Sequence, residues 1–245
     1  MIKKLHKRIF IKILFVLVLL LTVIINIPSN ALSKFITYYS KEKLMLANTS
    51  GSLWHGSGLL VALDKKVSQS SPLLMLNWDI LFGIKDFITI NFTIDNNKIA
   101  QIILNKNGIN LNQLNLSLSV SQVSQLFGLI HDLNLAGNLH IQTQNNIQIN
   151  KLGYVGNILI NLTNLSSSLS PVNPLGSYLI NLDLSNYAIN VSSEQNSTLM
   201  VNGDGDLSSL ELRANIMETK KLQMKEFIAF MGIPLPDGSY NFKIF

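Results

Sequence analysis

The residues of this chain with most chemical potential are its histidines, acids and serines. Three histidines, His55, His131 and His140, follow the N-terminal segment, and none lies within one helical turn of another. Neither His-Glu-x-x-His nor Gly-x-Ser-x-Gly occurs, the patterns that position zinc with its base or a nucleophilic serine. A hydrolase would need a histidine, an acid and a serine to meet in one cleft, and no spacing indicates this.

Two acidic patterns support weaker hypotheses. Gly203-Asp204-Gly205-Asp206 could offer oxygen ligands to calcium, but Glu211 comes too early to close an EF-hand loop, so a hairpin turn is favoured. Asp79 and Asp86 could form a carboxylate pair, although no further acid lies nearby. His55 could act as a general base, but a histidine satisfied by its backbone neighbours explains it better. We predict a protein that is not an enzyme and uses no metal or cofactor.

The net charge of the chain is concentrated at its N-terminus. The sequence has 19 Lys and Arg against 14 Asp and Glu, and five of these bases lie in residues 1–12, which hold no acid. They are Lys3, Lys4, Lys7, Arg8 and Lys12. The other 14 bases balance the 14 acids, so the composition does not indicate nucleic-acid binding. Cysteine is absent, which excludes disulfides, zinc thiolates and a cysteine nucleophile.

A long apolar stretch overlaps these bases. From Ile9 to Ile27 only Lys12 is charged, and a helix of this length at ~1.5 Å per residue spans ~28 Å, close to the ~30 Å hydrocarbon core of a bilayer. Because the bases lie on one side, the positive-inside rule predicts a cytoplasmic tip at 1–8, a transmembrane signal anchor at 9–27 and an extracytoplasmic domain at 28–245. Cleavage of a signal peptide at Ser29-Asn30-Ala31 is the alternative.

The remainder of the chain alternates apolar and polar residues, which is typical of strands with one solvated face. The clearest runs are Ile88–Ile94, Leu114–Val120, Ile158–Leu162 and Leu179–Leu184. Turn-forming groups separate such runs, among them Asp95–Asn97, Lys106–Gly108 and Ala136–Asn138. Two stretches have helical spacing instead, Ser121–His131 and Glu218–Met231, the second with the apolar residues Leu222, Phe227, Ile228 and Phe230. The sequence predicts a mainly β protein: an N-terminal transmembrane helix, then an extracytoplasmic antiparallel sheet with about two short packed helices.

One short motif differs from this alternation. Gly51-Ser52-Leu53-Trp54-His55-Gly56 places a tryptophan between glycines. Glycine permits a positive φ or a bulge, and Trp54 supplies a large apolar anchor, so a bulge around a core tryptophan is sufficient to explain the motif. The motif also resembles the Gly-x-Leu-Trp-x-Gly pattern of protein N of the bacterial type II secretion system.

The resemblance to this family continues in order along the chain, and the shared order carries more weight than any single piece. Leu76–Trp78 resembles the family's second tryptophan site, and Leu135–Leu139 its Gly-x-Leu strand start. Gly153–Ile158 resembles a further segment, although the tryptophan expected after it is missing. Asn173–Tyr178 and Asp237–Phe242 resemble the later segments. The motif residues, structural or partner-binding, are Gly51, Leu53, Trp54, Gly56, Trp78, Gly176, Tyr178, Gly238 and Tyr240.

The resemblance implies a single-pass protein of the bacterial inner membrane with a periplasmic β-rich domain. Its partners would be other inner-membrane components of the secretion system, and its function would be to support export of folded periplasmic proteins. No catalytic residue is implied. The family is also similar to AsmA-type periplasmic proteins, whose sheet is curved around an apolar groove. Lipid binding or lipid transfer in such a groove is therefore the alternative function.

Overall fold

The computed structural model describes residues 2–64, 69–124, 133–206 and 208–243, and most of them belong to two antiparallel sheets. Within these ranges there are four α-helices and one 3-10 turn, Glu218–Lys220. The helices are α1 (Ile2–Ile25), α2 (Asn30–Tyr39), α3 (Val120–Ser124) and α4 (Lys221–Met231).

The described strands are β1 (Leu44–Gly51), β2 (His55–Asp64), β3 (Gln69–Phe82), β4 (Ile88–Ile94), β5 (Asn97–Asn105), β6 (Gly108–Asn112), β7 (Asn115–Ser119), β8 (Leu135–Thr143), β9 (Ile147–Asn150), β10 (Gly153–Val155), β11 (Asn157–Ser167), β12 (Gly176–Asp183), β13 (Ala188–Ser193), β14 (Leu199–Asp206), β15 (Leu210–Ile216), β16 (Ile233–Pro234) and β17 (Tyr240–Lys243). The eight-stranded sheet has the order β1-β2-β3-β4-β5-β6-β9-β10. The nine-stranded sheet has the order β16-β17-β15-β14-β13-β12-β11-β8-β7.

The chain changes sheets three times between β6 and β11. At the last change, Gly156 has a φ of 133°, and a Cβ added there would lie 3.0 Å from Ile147 Cα. Only glycine combines this backbone conformation with so close an approach. A backbone hydrogen bond from Thr143 N to Leu114 O, 3.0 Å long, joins the strands where the chain crosses. The prediction of a single sheet is therefore wrong, because alternation specifies the face on which a side chain lies but not which strand pairs with its own.

The predicted strands are largely confirmed. Ile88–Ile94 is β4, and the other three alternating runs coincide with or overlap β7, β11 and β12. The turns predicted at Asp95–Asn97 and Lys106–Gly108 form the β4–β5 and β5–β6 hairpins. In both cases a strand of alternating residues ends at a cluster of turn formers, the strongest local signal for a hairpin.

Two other predicted turns are wrong. Ala136–Asn138 lies inside β8, where Gly137 has a φ of 139° and the register with β11 shifts, so the glycine marks a bulge. Gly203–Asp206 forms the end of β14, and the turn follows it. The Asp206 carboxylate stabilises that turn by accepting a hydrogen bond from Ser208 N at 2.7 Å.

In the nine-stranded sheet the apolar side chains share one face. Directly paired residues of neighbouring strands point to the same face, and one such row consists of Ile141, Ile160, Ile180 and Val191. At one end α4 covers this face with Met224 and Ile228, both fully buried. The helix predicted at Glu218–Met231 is thus confirmed, but Leu222, expected to face the sheet, is 90% exposed. The core cluster beneath α4 comprises Leu175, Leu199, Ala214, Ile216, Met224, Phe227 and Ile228.

The eight-stranded sheet has an equivalent apolar face. One row across five strands consists of Ile80, Ile90, Ile102, Leu111 and Ile147. Its first four members are half-buried, while Ile147 is buried. Helix α2 packs on β1, and α3 contacts β3 and β8. Among the described residues, the buried cluster that α4 forms contains no residue of β4, β5 or β6.

The N-terminal helix differs in extent from the predicted anchor. Side chains of α1 are described from residue 11 onward, and its large apolar side chains there are 38–67% exposed. Across the residues that the structure describes, no helix is both long and apolar enough to cross a membrane. The anchor at 9–27 therefore stays a prediction. Helix α2 was not predicted, and of the predicted helix Ser121–His131 only the part within α3 lies among the described residues.

Candidate functional site

The glycine–tryptophan motif forms the turn between β1 and β2, next to the end of α1. Gly51 ends β1 with a φ of 85°, and a Cβ added there would lie 2.5 Å from His55 O. Gly51 pairs with Gly56 at the start of β2, so the motif closes on itself as a tight loop. We name Leu53, Trp54, Gly56 and Trp78, which meet here, the tryptophan junction.

Trp54 connects this turn to α1. Its indole Nε1 donates a 2.8 Å hydrogen bond to the carbonyl oxygen of Ile24. Ile24 O also accepts a 3.3 Å backbone hydrogen bond from Ile27 N. Pro28, four residues after Ile24, has no N–H to donate, so the indole adds a second, shorter hydrogen bond at the end of the helix. Leu53 N donates a second hydrogen bond, 2.8 Å long, to Ile27 O. The end of α1 is therefore fixed to the sheet by side-chain and backbone contacts as well as by the chain itself.

Trp78 connects the same turn to the interior of the sheet. It is 1% exposed, pairs with Gly56 across β2 and β3, and donates from Nε1 to Leu53 O at 3.0 Å. A Cβ added at Gly56 would lie 2.6 Å from Trp78 Cζ2, so the missing side chain makes room for the indole. The amide of Leu53 thus faces α1 while its carbonyl faces the core tryptophan. The β1–β2 turn thus brings together five of the motif residues predicted from the sequence: Gly51, Leu53, Trp54, Gly56 and Trp78.

His55 lies beside the junction and pairs with a carboxylate. Its Nδ1 contacts Asp79 Oδ1 across β2 and β3. The interpretation of a histidine satisfied by backbone neighbours is therefore wrong, and Asp79 pairs with His55 instead of Asp86. The imidazole is 83% exposed and the carboxylate 42%, and pairs so open to water contribute little to stability.

His140 contacts a serine within the nine-stranded sheet. Ser117 Oγ lies 2.9 Å from His140 Nδ1 across β7 and β8. Asp79 and Ser117 therefore contact different histidines, which lie in different sheets. His131 lies outside the described residues. Among the residues described, no three His, Asp or Glu side chains lie close enough together to hold a metal ion. Asp204, which the sequence analysis considered as a calcium ligand, accepts a hydrogen bond from the Asn190 side-chain amide.

The remaining motif residues belong to the nine-stranded sheet. Gly176 has a φ of 155°, and a Cβ added there would lie 2.4 Å from Ser197 Oγ, so only glycine fits. Tyr178 donates from its hydroxyl to Leu199 O at 2.8 Å. Burial raises the pKa of Tyr178 far above its ordinary value, so this hydroxyl stays a neutral donor.

Gly238 and Tyr240 lie at the C-terminal hairpin. Gly238 has a φ of 82° in the turn before β17, and Tyr240 packs against the core cluster beneath α4. A hydrogen bond from the Ser239 hydroxyl lowers the pKa of the Asp237 carboxyl at this turn. The motif residues therefore divide into two groups, one in each sheet. Both have a clear packing role, and partner binding by either stays a prediction.

The orientation residues lie on α1. Lys12 is exposed, and the side chains of Lys3, Lys4, Lys7 and Arg8 lie outside the described part of the chain.

Sequence reasoning missed two exposed apolar surfaces. Ile84 in the β3–β4 turn is 100% exposed, and Leu152 in the β9–β10 turn is 98% exposed. On α2, Phe35, Tyr38 and Tyr39 are 58–77% exposed, while Ser33 of the same helix bonds to Leu46 O of β1 at 2.7 Å. The signal that could have identified the turns is a large apolar residue next to a lysine where turn formers are expected.

Comparison with proteins of known function and with solved structures gave no significant match. The family described as type II secretion system (T2SS), protein N, matches residues 42–243. The match begins two residues before β1 and ends with β17, so it includes both sheets. Because it covers most of the sequence, this chain belongs to the type II secretion system protein N family.

Proposed function

We propose that the protein is a non-enzymatic, membrane-anchored component of the type II secretion system that supports export of folded periplasmic proteins. The family match over 42–243 carries this proposal. The two sheets would lie in the periplasm, at the inner membrane, and would bind other inner-membrane components of the system.

The anchor part of the proposal rests on residues 9–27. The tip at 1–8 would remain in the cytoplasm and the domain at 28–245 would be periplasmic, in a single-pass topology. The apolar side chains of α1 from Ile11 to Ile25 are exposed, and lipid is the environment that would cover a helix with so few polar residues. The tryptophan junction would then hold the periplasmic sheets in a fixed position relative to the membrane.

The proposed anchor is uncleaved, in contrast to a signal peptide. In the alternative, cleavage would occur at Ser29-Asn30-Ala31. Ser29 is 5% exposed and its N donates to Gly51 O at 3.3 Å, while Asn30 and Ala31 form the first turn of α2. Cleavage after Ala31 would also remove the hydrogen bonds from Trp54 Nε1 to Ile24 O and from Leu53 N to Ile27 O, so these contacts support retention of the helix.

Crosslinking tests the proposed function. The full chain with a C-terminal tag is expressed in its own bacterium from which the native gene has been deleted, crosslinked in living cells and purified from membranes. We expect enrichment of type II secretion components over a control strain, in which the same tag is carried by an unrelated single-pass periplasmic protein. Deletion should lower the amount of secreted substrate, and the full chain should restore it. Equal recovery in both strains with unchanged secretion would contradict the proposal.

Lipid binding is the second candidate function, and one observation favours it. Ile80, Ile90 and Ile102 are half-buried on their sheet face, and none of the three belongs to the buried cluster that α4 forms in the described part of the chain. Apolar faces of this kind are normally covered by a second layer, a partner or lipid. The protein purified from membranes should then contain bound lipid above the content of an Ile90→Asn variant. Equal lipid content in the two proteins would exclude this function, and the similarity to AsmA-type proteins stays a prediction.

A further inference from the structure

Three hairpin turns project from one end of the eight-stranded sheet. The register places Ile88, Leu104, Ile109, Ile149 and Tyr154 in one row of direct partners across β4, β5, β6, β9 and β10. Phe82 of β3 pairs with Ile88 and extends the row. Each of these strands reaches its turn within a few residues of the row. We name the three turns, residues 83–87, 106–107 and 151–152, the hairpin rim.

The hairpin rim and its adjoining row are apolar and open to solvent. Ile84 and Leu152, at two of the turns, are 100% and 98% exposed, and Phe82 is 65% exposed. Tyr154, at the far end of the row, is 46% exposed. Five strand spacings of ~4.8 Å make the row ~24 Å wide. Single exposed apolar residues are ordinary on a soluble surface, but a continuous rimmed patch indicates a contact surface.

Each turn of the hairpin rim also carries one exposed lysine. These are Lys85, Lys106 and Lys151. Asp86 is the acid in these turns, so the net charge of the rim is positive. Apolar tips flanked by lysines are the composition of segments that lie in the interface of a bilayer, where the apolar groups enter the headgroup layer and the ammonium groups remain among lipid phosphates.

The rim is continuous with the end of α1. The Trp54 ring lies 5.2 Å from the Phe82 ring, centroid to centroid, and Trp54 Nε1 donates to Ile24 O. The exposed apolar surface of α1 therefore leads through one indole to the apolar row of the sheet. This continuity identifies the occupant, because a surface that begins where an apolar helix ends meets whatever surrounds that helix.

We propose that the hairpin rim rests on an anionic phospholipid bilayer, with Ile84 and Leu152 in the interfacial layer and the three lysines at lipid phosphates. This inference rests on the proposed function only for membrane attachment through α1. It orients the eight-stranded sheet with this end toward the membrane and the opposite turns, such as the one at Asp95 and Asn96, away from it. The apolar faces of the sheets would then rise from the bilayer surface.

Single cysteines test the proposal cleanly, because the natural chain has none. The variants are Ile84→Cys and Leu152→Cys on the rim, Leu20→Cys on α1, and Leu222→Cys as the control. Leu222 is 90% exposed on α4, which packs on the other sheet. Each full-length variant is labelled with a polarity-sensitive fluorophore and reconstituted into vesicles of phosphatidylethanolamine and phosphatidylglycerol, with or without lipids that carry a quencher near the headgroup.

The labels at 84 and 152 should shift to shorter wavelength and lose most of their emission with the quenching lipids, while the label at 222 should not change. If the labels at 84 and 152 match the one at 222 while the label at 20 responds to bilayer insertion, the rim proposal is overturned and the anchor stands. No response at position 20 would contradict the proposed anchor, and quenching at 84 and 152 would still support contact between the hairpin rim and the bilayer. If none of the labels responds, both proposals fail.

Charge variants separate lipid phosphates from apolar contact alone. In the background labelled at 84, Lys85, Lys106 and Lys151 are changed to Gln, and the control changes Lys98, Lys220 and Lys225 to Gln. The rim variant should lose much of the quenching in anionic vesicles at moderate salt, and the control should retain it. Equal losses in the two variants would show a general effect of net charge and would contradict a role for the rim lysines.

Discussion

The two sheets share one sequence pattern and differ in how their apolar faces are covered. In the nine-stranded sheet α4 buries Met224 and Ile228 completely over the core cluster. In the eight-stranded sheet Ile90 and Ile102 remain half-buried and lie outside that cluster. The same alternation therefore leads to a closed core where α4 packs at one end of the nine-stranded sheet, and to a half-buried face at β4, β5 and β6 and at Ile141, Ile160 and Ile180 of the nine-stranded sheet.

The difference shows that burial depends on the second layer and not on the strand pattern. Where the eight-stranded sheet adjoins the end of α1, its core residue is Trp78, which is covered by the β1–β2 turn and not by a helix. The half-buried face of this sheet lies at β4, β5 and β6, and the hairpin rim lies at the end of the sheet next to α1. The region beneath α4 and the half-buried region at β4, β5 and β6 should accordingly respond differently to substitutions of similar size.

The largest effect is expected at Trp78. Trp78→Ala removes a side chain that is 1% exposed, and such losses cost about 3–5 kcal/mol. Urea unfolding of the full chain in detergent, followed by circular dichroism, measures the change. Trp78→Phe should retain part of the stability, because it keeps the ring but loses the bond to Leu53 O. A cost below that of Ile90→Ala would show that the junction does not stabilise its sheet.

The next largest effect is expected at Ile228. Ile228→Ala should destabilise the protein by about 2–5 kcal/mol in the same assay, because this side chain of α4 is fully buried in the core cluster. Leu222→Ala on the same helix is the control and should stay within about 0.5 kcal/mol of the natural protein. Similar costs at the two positions would contradict the observed packing of α4.

Gly56→Ala should have an intermediate effect of about 1–3 kcal/mol, because the new methyl group would overlap the Trp78 indole. Gly58→Ala in the same strand is the matched control. Its added Cβ would lie 3.1 Å from the Thr49 side chain, which can move aside. The outcome that speaks against the junction is an equal change in the urea midpoint for both variants.

A smaller cost is expected on the open face. Ile90→Ala should cost about 1 kcal/mol, since a half-buried side chain gains only part of the burial free energy. The comparison with Ile228→Ala is the direct measure of the difference between the sheets. If Ile90→Ala cost as much as Ile228→Ala, the face of the eight-stranded sheet would be closed in solution.

The smallest effect concerns pH and the β14–β15 turn. Hydrogen bonds from the Ser208 hydroxyl and amide lower the pKa of Asp206. The carboxylate therefore contributes stability above its unfolded-state pKa of about 3.9, and this contribution is lost as the pH falls through the lower folded-state pKa. Asp206→Asn should flatten the stability profile below about pH 4, measured by urea midpoints across pH. An unchanged profile would show that the turn does not depend on this carboxylate.

Local structure was predictable where the signal is local. Alternation identified β4, and turn formers identified the hairpins after it. Gly137 was misassigned because a glycine with positive φ serves a bulge as well as a turn. The role of Trp78 beneath Gly56 was beyond prediction, since the two residues meet only through the β2–β3 pairing. The pairing of His55 with Asp79 was missed for the same reason.

By itself the sequence determined the concentration of charge at residues 1–12, the alternation that makes each strand two-faced, and the collinear motifs of the protein N family. These properties follow from residue types and from spacing within a single element. Only the tertiary structure decided that there are two sheets, that α4 covers one of them, and that Ile84 and Leu152 project from one end of the other. The physical reason is that strand partners and covering layers are chosen by contacts between residues distant in the chain, which local patterns do not encode.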